Sequence, residues 1–232
     1  MAIALSHVSV PSSQSGSSPL SFAITTSTGN LMIVGLIVDP ALTVTGVTDS
    51  KGQTYTPVGV NGTDATTGKT YFFYKLSSAT GVTSISVAFS GTGAVAFISY
   101  DCSSTTGGAS DTQVPFSTQT TASPSMSITA SAAGICVAIE GNDSGASVSV
   151  ATPFTLDGIN VGSLAQFGGA AHDVNSGGGS LIATFTDLGD THWNGVIATF
   201  KEAGTAAVTI VGPAGLTEQQ PQINRRGTRI WY

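Results

Sequence analysis

The stretch LMIVGLIVDPALTVTGVTDSKGQTYTP, residues Leu31 to Pro57, carries the strongest indication of the fold. Its first eight residues, Leu31 to Val38, are all apolar or glycine. This run is too short to span a bilayer, which needs about 20 residues. A short run of mostly branched side chains that is closed by Asp39-Pro40 predicts instead a strand buried on both of its faces.

The remainder of this stretch predicts a β-hairpin. A second strand is expected from Val44 to Thr48, and Asp49-Ser50-Lys51-Gly52 supplies a turn in which Gly52 is free to take a positive φ. The chain is then expected to return through Gln53 to Thr56. Pro57 is expected to end the pairing because it has no N–H to donate.

Alternation of apolar and polar residues predicts further strands along most of the chain. The alternating apolar positions are Leu20, Phe22 and Ile24 in one segment and Ile85, Val87 and Phe89 in another. Ala94 to Tyr100 is a second continuously apolar run of the kind seen at Leu31. Because no segment combines a 3.6-residue apolar period with helix caps, we predict an all-β chain.

The second half of the chain resembles the first. SPLSFAITTSTGNLMIVGLIVD from Ser18 resembles SPSMSITASAAGICVAIEGND from Ser123, and GVTSISVAFSGTGAVAFISYD from Gly81 resembles GGSLIATFTDLGDTHWNGVIATF from Gly178. An offset of about 100 residues is too long for a solenoid repeat. We therefore expect similar halves, about residues 18–102 and 123–203, that form one two-sheet, jelly-roll-like β-sandwich over residues 1–203. Chance similarity between strands rich in Ser, Thr and Gly is the alternative.

The charge of the chain is low and unevenly distributed. Charged residues make up 9% of the sequence, against about 25% in ordinary soluble domains. Residues 1–203 carry four lysines and twelve acidic residues, a net charge of −8, and residues 204–232 carry three arginines and one glutamate, a net charge of +2. An acidic body argues against nucleic acid as a partner, because that would require a basic face.

The first residues, MAIALSHVSV, have neither a basic start nor a long apolar core. We therefore expect no secretory signal, no membrane segment and synthesis in a cytoplasm. In that compartment Cys102 and Cys136 are expected to stay reduced. Cys136 lies in an apolar segment and is expected to act as a small hydrophobic residue.

Two local patterns resemble catalytic or metal sites. Asn142 to Gly145 resembles the segment around a serine nucleophile, but only His7 precedes it, so we expect an Asx turn. His172-Asp173 and His192 would bind zinc only if the fold brought them together, since neither has a metal-ligand spacing. We expect each histidine to lack both a nucleophile and an orienting carboxylate, and we expect no catalytic residues, no metal and no cofactor.

Acidic and aromatic side chains leave two alternatives open. Asp187 and Asp190 form the best local acidic pair, for which turn formation is expected rather than calcium binding. A paired-carboxylate glycosidase site with partners from distant strands also stays possible. The exposed-aromatic alternative is a sugar-stacking platform, although burial in the core is the default for each of these residues. Its candidate residues are Tyr55, Tyr71, Phe73 and Trp193.

The last segment, residues 204–232, differs in character from the rest. Its sequence GPAGLTEQQPQINRRGTRIWY has prolines and glycines without alternation, which predicts an extended C-terminal arm rather than part of the core. Aromatic and arginine side chains are enriched where binding energy is concentrated. We therefore predict an assembly interface on the arm, with a free tail as the alternative. Its residues are Arg225, Arg226, Arg229, Ile230, Trp231 and Tyr232.

The segment VTGVTDSKGQTYT, Val44 to Thr56, resembles a β-sandwich pattern of phage-encoded and bacterial surface proteins. In that pattern a buried strand precedes a V-x-D-x-x-G-x-x-Y hairpin, and strands like TYFFYKL, TSISVAF and HWNGVIATF follow, so the resemblance covers Leu20 to Lys201. It implies a non-enzymatic virion structural protein, such as a head decoration, capsid, tail or fibre-associated component. Its partners would be copies of itself or other shell proteins. The alternative is a carbohydrate- or receptor-binding module on a viral or cell surface, and an enzyme ranks third.

Overall fold

The computed structural model describes residues 3–9, 11–25, 27, 30–59, 61–64, 67–104, 109–119, 123–142, 148–158, 167–175, 177–187 and 192–202. Within these residues every regular element is a β-strand, and the strand pairs are antiparallel. The part of the chain that the structure describes has no helix that is long and apolar enough to cross a membrane. The predicted all-β sandwich is confirmed.

The strands are numbered in chain order. The first nine are β1 Ala4–Val8, β2 Ser12–Ser17, β3 Leu20–Ala23, β4 Asn30–Val38, β5 Val44–Asp49, β6 Thr56–Pro57, β7 Gly62–Asp64, β8 Gly68–Ser78 and β9 Ser84–Phe89. The others are β10 Thr92–Ser103, β11 Ala109–Gln119, β12 Ser125–Ala130, β13 Gly134–Asn142, β14 Val148–Val150, β15 Thr155–Leu156, β16 Phe167–Asn175, β17 Gly179–Asp187 and β18 Trp193–Lys201.

The described strands form four sheets stacked as layers. The N-outer sheet has the order β3-β9-β5, and the N-inner sheet has the order β1-β10-β4-β8-β6, with β2 added on β10 and β7 on β8. The C-inner sheet has the order β11-β18-β13-β16-β15, and the C-outer sheet has the order β12-β17-β14. One apolar cluster fills each of the three spaces between successive layers.

Strand β4 is buried on both faces, as its sequence predicts. Leu31, Ile33 and Ile37 face the C-inner sheet, whereas Met32 and Val34 face the N-outer sheet. Each of these side chains is at most 1% exposed. Because successive side chains of a strand point to opposite faces, only a strand between two other layers can bury every residue in this way.

Strand β13 has the same position in the second half of the chain. Ile135, Val137 and Ile139 pack into the cluster between the two inner sheets, and Cys136 and Ala138 pack towards the C-outer sheet. Cys136 is a free, fully buried thiol that acts as a small core residue, as predicted. The two continuously apolar strands therefore lie at the centre of the stack.

The strand order of residues 20–103 recurs in residues 125–201. The outer order β3-β9-β5 recurs as β12-β17-β14, and the inner order β10-β4-β8-β6 recurs as β18-β13-β16-β15. Thr56 pairs with Tyr74 as Thr155 pairs with His172, so positions in the two halves can be matched. The structure has four sheets where two were expected, because each half has its own pair of sheets and the two inner sheets pack face to face. The jelly-roll order and the common origin of the halves stay predictions.

The predicted hairpin is present, and its return arm pairs with β5 as far as Tyr55, whose amide donates to the Val47 carbonyl at 2.9 Å, before Thr56 and Pro57 pair with β8 instead. Gly52 has a φ of +74°, and the Asp49 carboxylate accepts hydrogen bonds from the Lys51 and Gln53 amides at 2.8 and 3.0 Å. Pro57 continues into β6, opposite Phe73 of β8. The following amide, that of Val58, donates to Phe72 at 2.8 Å. The nitrogen of Pro57 therefore points away from β8, so this edge strand loses no ladder hydrogen bond.

The central layer gives a direct test of this packing. Replacing Ile33 with Ala should lower the free energy of unfolding by roughly 2–5 kcal/mol, because it opens a cavity between the two inner sheets. The same replacement at Ile182, whose side chain is 50% exposed, is the matched control and should change it by less than about 0.5 kcal/mol. Urea unfolding followed by circular dichroism measures both values, and equal losses would contradict the layer assignment.

Candidate functional site

Several of the predicted site residues lie outside the described residues. These include the complete assembly interface, Arg225, Arg226, Arg229, Ile230, Trp231 and Tyr232, together with Asp143, Ser144, Gly145 and Asp190. Of the Asp187–Asp190 pair, only the backbone of Asp187 is described. The interface, the Asx turn and the acidic turn therefore stay predictions from the sequence.

The described residues contain a buried polar cluster between the two inner sheets, the Tyr-His-Asp cluster of Tyr100, His172 and Asp157. Nδ1 of His172 lies 2.8 and 2.9 Å from the two carboxylate oxygens of Asp157, and it donates because an ionised carboxylate only accepts. The Tyr100 ring meets the imidazole edge-on, with ring centroids 6.2 Å apart. The side chains of His172 and Asp157 are 14% and 6% exposed.

The expectation that His172 has no orienting carboxylate is wrong. The acid is Asp157 and not the adjacent Asp173, because alternation along β16 turns His172 and Asp173 to opposite faces. Asp157 follows β15, and its amide donates to the Ala170 carbonyl at 2.8 Å. Strand pairing therefore joins two residues that are 15 positions apart. A residue-by-residue alignment of the two halves would have shown the signal, since Asp157 falls where the first half has Val58.

The side chains beside His172 offer no activated nucleophile in this cluster. Complete burial, and then the Asp157 carboxylate, raises the pKa of Tyr100 well above its ordinary value. Burial, and then Asp101, also raises the pKa of the neighbouring Cys102 thiol. Both groups therefore keep their protons at neutral pH, and protonated buried groups are poor nucleophiles.

The equivalent positions in the first half of the chain are apolar, and we call them the apolar corner of the space between the two inner sheets. Tyr74 of β8 corresponds to His172 of β16, and its ring meets Phe200 of β18 edge-on at 5.4 Å. Val58, only 4% exposed, corresponds to Asp157, and both donate their amide to the adjacent strand at 2.8 Å. The fold therefore packs Tyr74, Phe200 and Val58 at one of these places and His172, Tyr100 and Asp157 at the other. Sheet packing by itself does not require the polar set.

Within the described residues, His7, His172 and His192 do not belong to any group of three or more metal-ligating side chains. His7 is exposed on β1, and His172 is held by Asp157. Among the described residues, no group of three or more His, Cys, Asp and Glu side chains is arranged to hold a metal ion. The two thiols, Cys102 and Cys136, are free and buried.

A second polar cluster, missed from the sequence, joins Asp111, Ser131 and Lys201. The Lys201 ammonium donates to Asp111 at 2.9 Å and to Ser131 at 2.6 Å, and the Ser131 hydroxyl donates to Asp111 at 2.6 Å. Burial raises the pKa of Asp111, but the hydrogen bonds from Ser131 and Lys201 outweigh it and hold that pKa below its usual range. These hydrogen bonds join β11 and β18 to the turn before β13.

Three of the four candidate aromatic residues lie together. Tyr55, Tyr71 and Phe73 line a cavity of about 380 Å³ between the edge of the N-outer sheet and β8. The ring centroids of Tyr71 and Phe73 are 6.2 Å apart. Trp193 lies elsewhere, 1% exposed, in the core between the C-inner and C-outer sheets. We call this cavity the aromatic groove; its other walls include Pro57, Asn61 and the β5 segment from Val44 to Gly46.

Comparisons of the chain with protein-family models, curated proteins and solved structures give no match. Proposals on function therefore depend on the charges, contacts and cavities of this chain, among them the Tyr-His-Asp cluster inside the stack and the aromatic groove at its surface.

The two matched corners predict a double-mutant cycle. Asp157→Val alone should destabilise the protein by about 1–3 kcal/mol, because it leaves the buried Nδ1–H of His172 without its acceptor. Adding His172→Tyr reproduces the apolar corner and should recover most of that loss, since well-packed apolar residues often replace a buried polar pair without cost.

The reciprocal variant is the control for this cycle. Val58→Asp places a carboxylate in the apolar corner, where Tyr74 takes the place of a histidine partner, and should destabilise by more than about 2 kcal/mol. Urea unfolding at neutral pH measures the unchanged protein, Asp157→Val, His172→Tyr, the double variant and Val58→Asp. A double variant whose loss equals the sum of its single losses would contradict the matching of the two corners.

Proposed function

We propose that this protein is a non-enzymatic structural component of a virion, and that its C-terminal arm, residues 204–232, docks the β-sandwich onto other copies or onto shell proteins. The separation of charge carries the proposal. The body, residues 1–203, has a net charge of −8 and the arm has a net charge of +2. An acidic surface and a basic segment attract one another during encounter, and salt weakens that attraction.

The composition of the arm supports binding rather than mere solubility. Trp231 and Tyr232 are aromatic anchors of the kind that dominate interfaces. Arg225, Arg226 and Arg229 are suited to paired hydrogen bonds with carboxylates, which the acidic body supplies.

Several reactive groups among the described residues of the body make internal contacts, which supports a scaffolding role. His172 is held by Asp157, Lys201 is held by Asp111, and both thiols are buried. The four stacked sheets form a broad core, which suits a particle component that must keep its shape. Under this proposal the protein is located in the virion and binds neither nucleic acid nor membrane.

The second candidate is a carbohydrate- or receptor-binding module. The aromatic groove, with three aromatic side chains around an open cavity, is the observation that favours it. The two candidates are compatible, since a virion protein can both assemble and attach to a host.

Deleting residues 212–232 tests the assembly role. The truncated protein should keep the circular dichroism spectrum and melting curve of the full chain, because residues 212–232 follow the last described strand, β18, in sequence and lack the apolar alternation of a core strand. Its self-association should be weaker by at least about tenfold, or about 1.4 kcal/mol. Mass photometry from 50 to 500 mM NaCl measures the oligomer distribution, and the full chain should lose oligomers as salt rises.

A charge-matched pair of variants separates the arm from net charge. Arg225→Glu with Arg226→Glu should weaken assembly, whereas Lys51→Glu with Lys75→Glu makes the same change in net charge on the body and should not. An unchanged oligomer distribution after deletion, or a full chain that stays monomeric and does not bind purified shells, would contradict the proposal.

A further inference from the structure

We propose that the aromatic groove binds an uncharged sugar residue of a glycan. This site is separate from the arm and goes beyond the assembly role. The cavity of about 380 Å³ falls in the size range of small-molecule sites, about 300–1,000 Å³. It lies on one side of the stack, between β5 at the edge of the N-outer sheet and the inner strand β8.

Tyr71 gives the groove an accessible aromatic wall. It is half-buried, whereas Phe73 behind it is 5% exposed and Tyr55 is 3% exposed. The rings of Tyr71 and Phe73 are inclined by only 29°, with centroids 6.2 Å apart, so they form one continuous aromatic wall of the cavity. Aromatic rings combine a large apolar face with a polar tip, which suits the C–H face and the hydroxyl rim of a pyranose. Burial raises the pKa of Tyr71, so its phenol stays uncharged at neutral pH.

The other lining groups favour an uncharged ligand. None of the described residues that line the cavity is charged. Thr45, Thr54 and Asn61 supply hydroxyl and amide groups that both donate and accept hydrogen bonds. The body carries a net charge of −8, so its field opposes anionic glycans such as sialylated or sulfated ones.

The hairpin fixes the back of the groove. The Tyr55 hydroxyl donates to Asp49 at 3.3 Å, and the same carboxylate also accepts from the amides of the turn. Tyr55 is thereby held by the 49–55 hairpin, so this wall is formed before any ligand arrives. A preformed wall lowers the entropy loss on binding.

The fold does not require aromatic side chains at this place. By the register that matches Tyr74 with His172, Tyr71 corresponds to Gly169 and Phe73 to Ala171. The second half therefore pairs the same strands without rings at these two positions. Tyr55 differs, because it corresponds by the same register to Phe154, which is also buried. The rings that occur in the first half alone are those of Tyr71 and Phe73, and both line the cavity.

Saturation-transfer NMR on the full chain tests this site with the methyl glycosides of glucose, galactose, mannose and N-acetylglucosamine. At least one should receive saturation at its ring C–H protons. Tyr71→Ala should reduce the transfer by at least tenfold, and Tyr71→Phe should keep most of it because the ring face remains.

Two further variants make the test independent of the folding of Tyr71→Ala. Gly46→Trp adds a large ring to a residue that lines the groove, at a position where a Cβ atom meets no neighbour, and it should block binding while the melting curve stays unchanged. Leu156→Ala removes the exposed apolar residue that corresponds to Pro57 and should have no effect on binding. The chain lacking residues 212–232 should bind the sugar as the full chain does, so failure of the assembly proposal would leave this result intact.

The proposal is overturned by any of several results. These are no transfer to any of the four glycosides, transfer that is unchanged in both Tyr71→Ala and Gly46→Trp, and binding restricted to sialylated or sulfated glycans on a glycan array. Binding of a peptide in the groove without any sugar binding would also overturn it.

Discussion

The structure depends on burying both faces of the central strands β4 and β13. A strand that is apolar at every position has no polar face that can contact water, so it must lie between two other layers. Two such strands in one chain, each with its own outer sheet, can satisfy this requirement together by placing their inner sheets face to face. The cluster that includes Ile33 and Val137 is the result. The four-layer stack follows from this one constraint.

The same constraint decides where chemistry can occur. Side chains on the inner faces lose water, so polar groups there need partners, as His172 has in Asp157. The apolar corner of Tyr74, Phe200 and Val58 shows that this fold does not demand such a pair. Functions that need a ligand are therefore better served at the surface. The aromatic groove lies there.

Local features of the fold could be predicted from the sequence, and features that join distant strands could not. The Leu31 to Val38 run is a local pattern, as is the turn that ends at Gly52, and both are confirmed. The number of sheets depends on how the halves meet, which alternation does not encode. Asp157 meets His172 only through strand pairing, and Tyr71 could not be distinguished from a core residue until its neighbours were known. The assembly interface on the arm stays a prediction.

Native-state hydrogen exchange of the full chain tests the central claim, that the two halves form one cooperative unit through their inner sheets. Amides of β4 and β13 should exchange only through global unfolding, with the same free energy in both strands. Amides of β3 and β14, in the outer sheets, should exchange through smaller local openings. The account would be contradicted if β4 and β13 opened with different free energies, each equal to the unfolding free energy of its own half. The inner sheets would then not join the two halves into one unit.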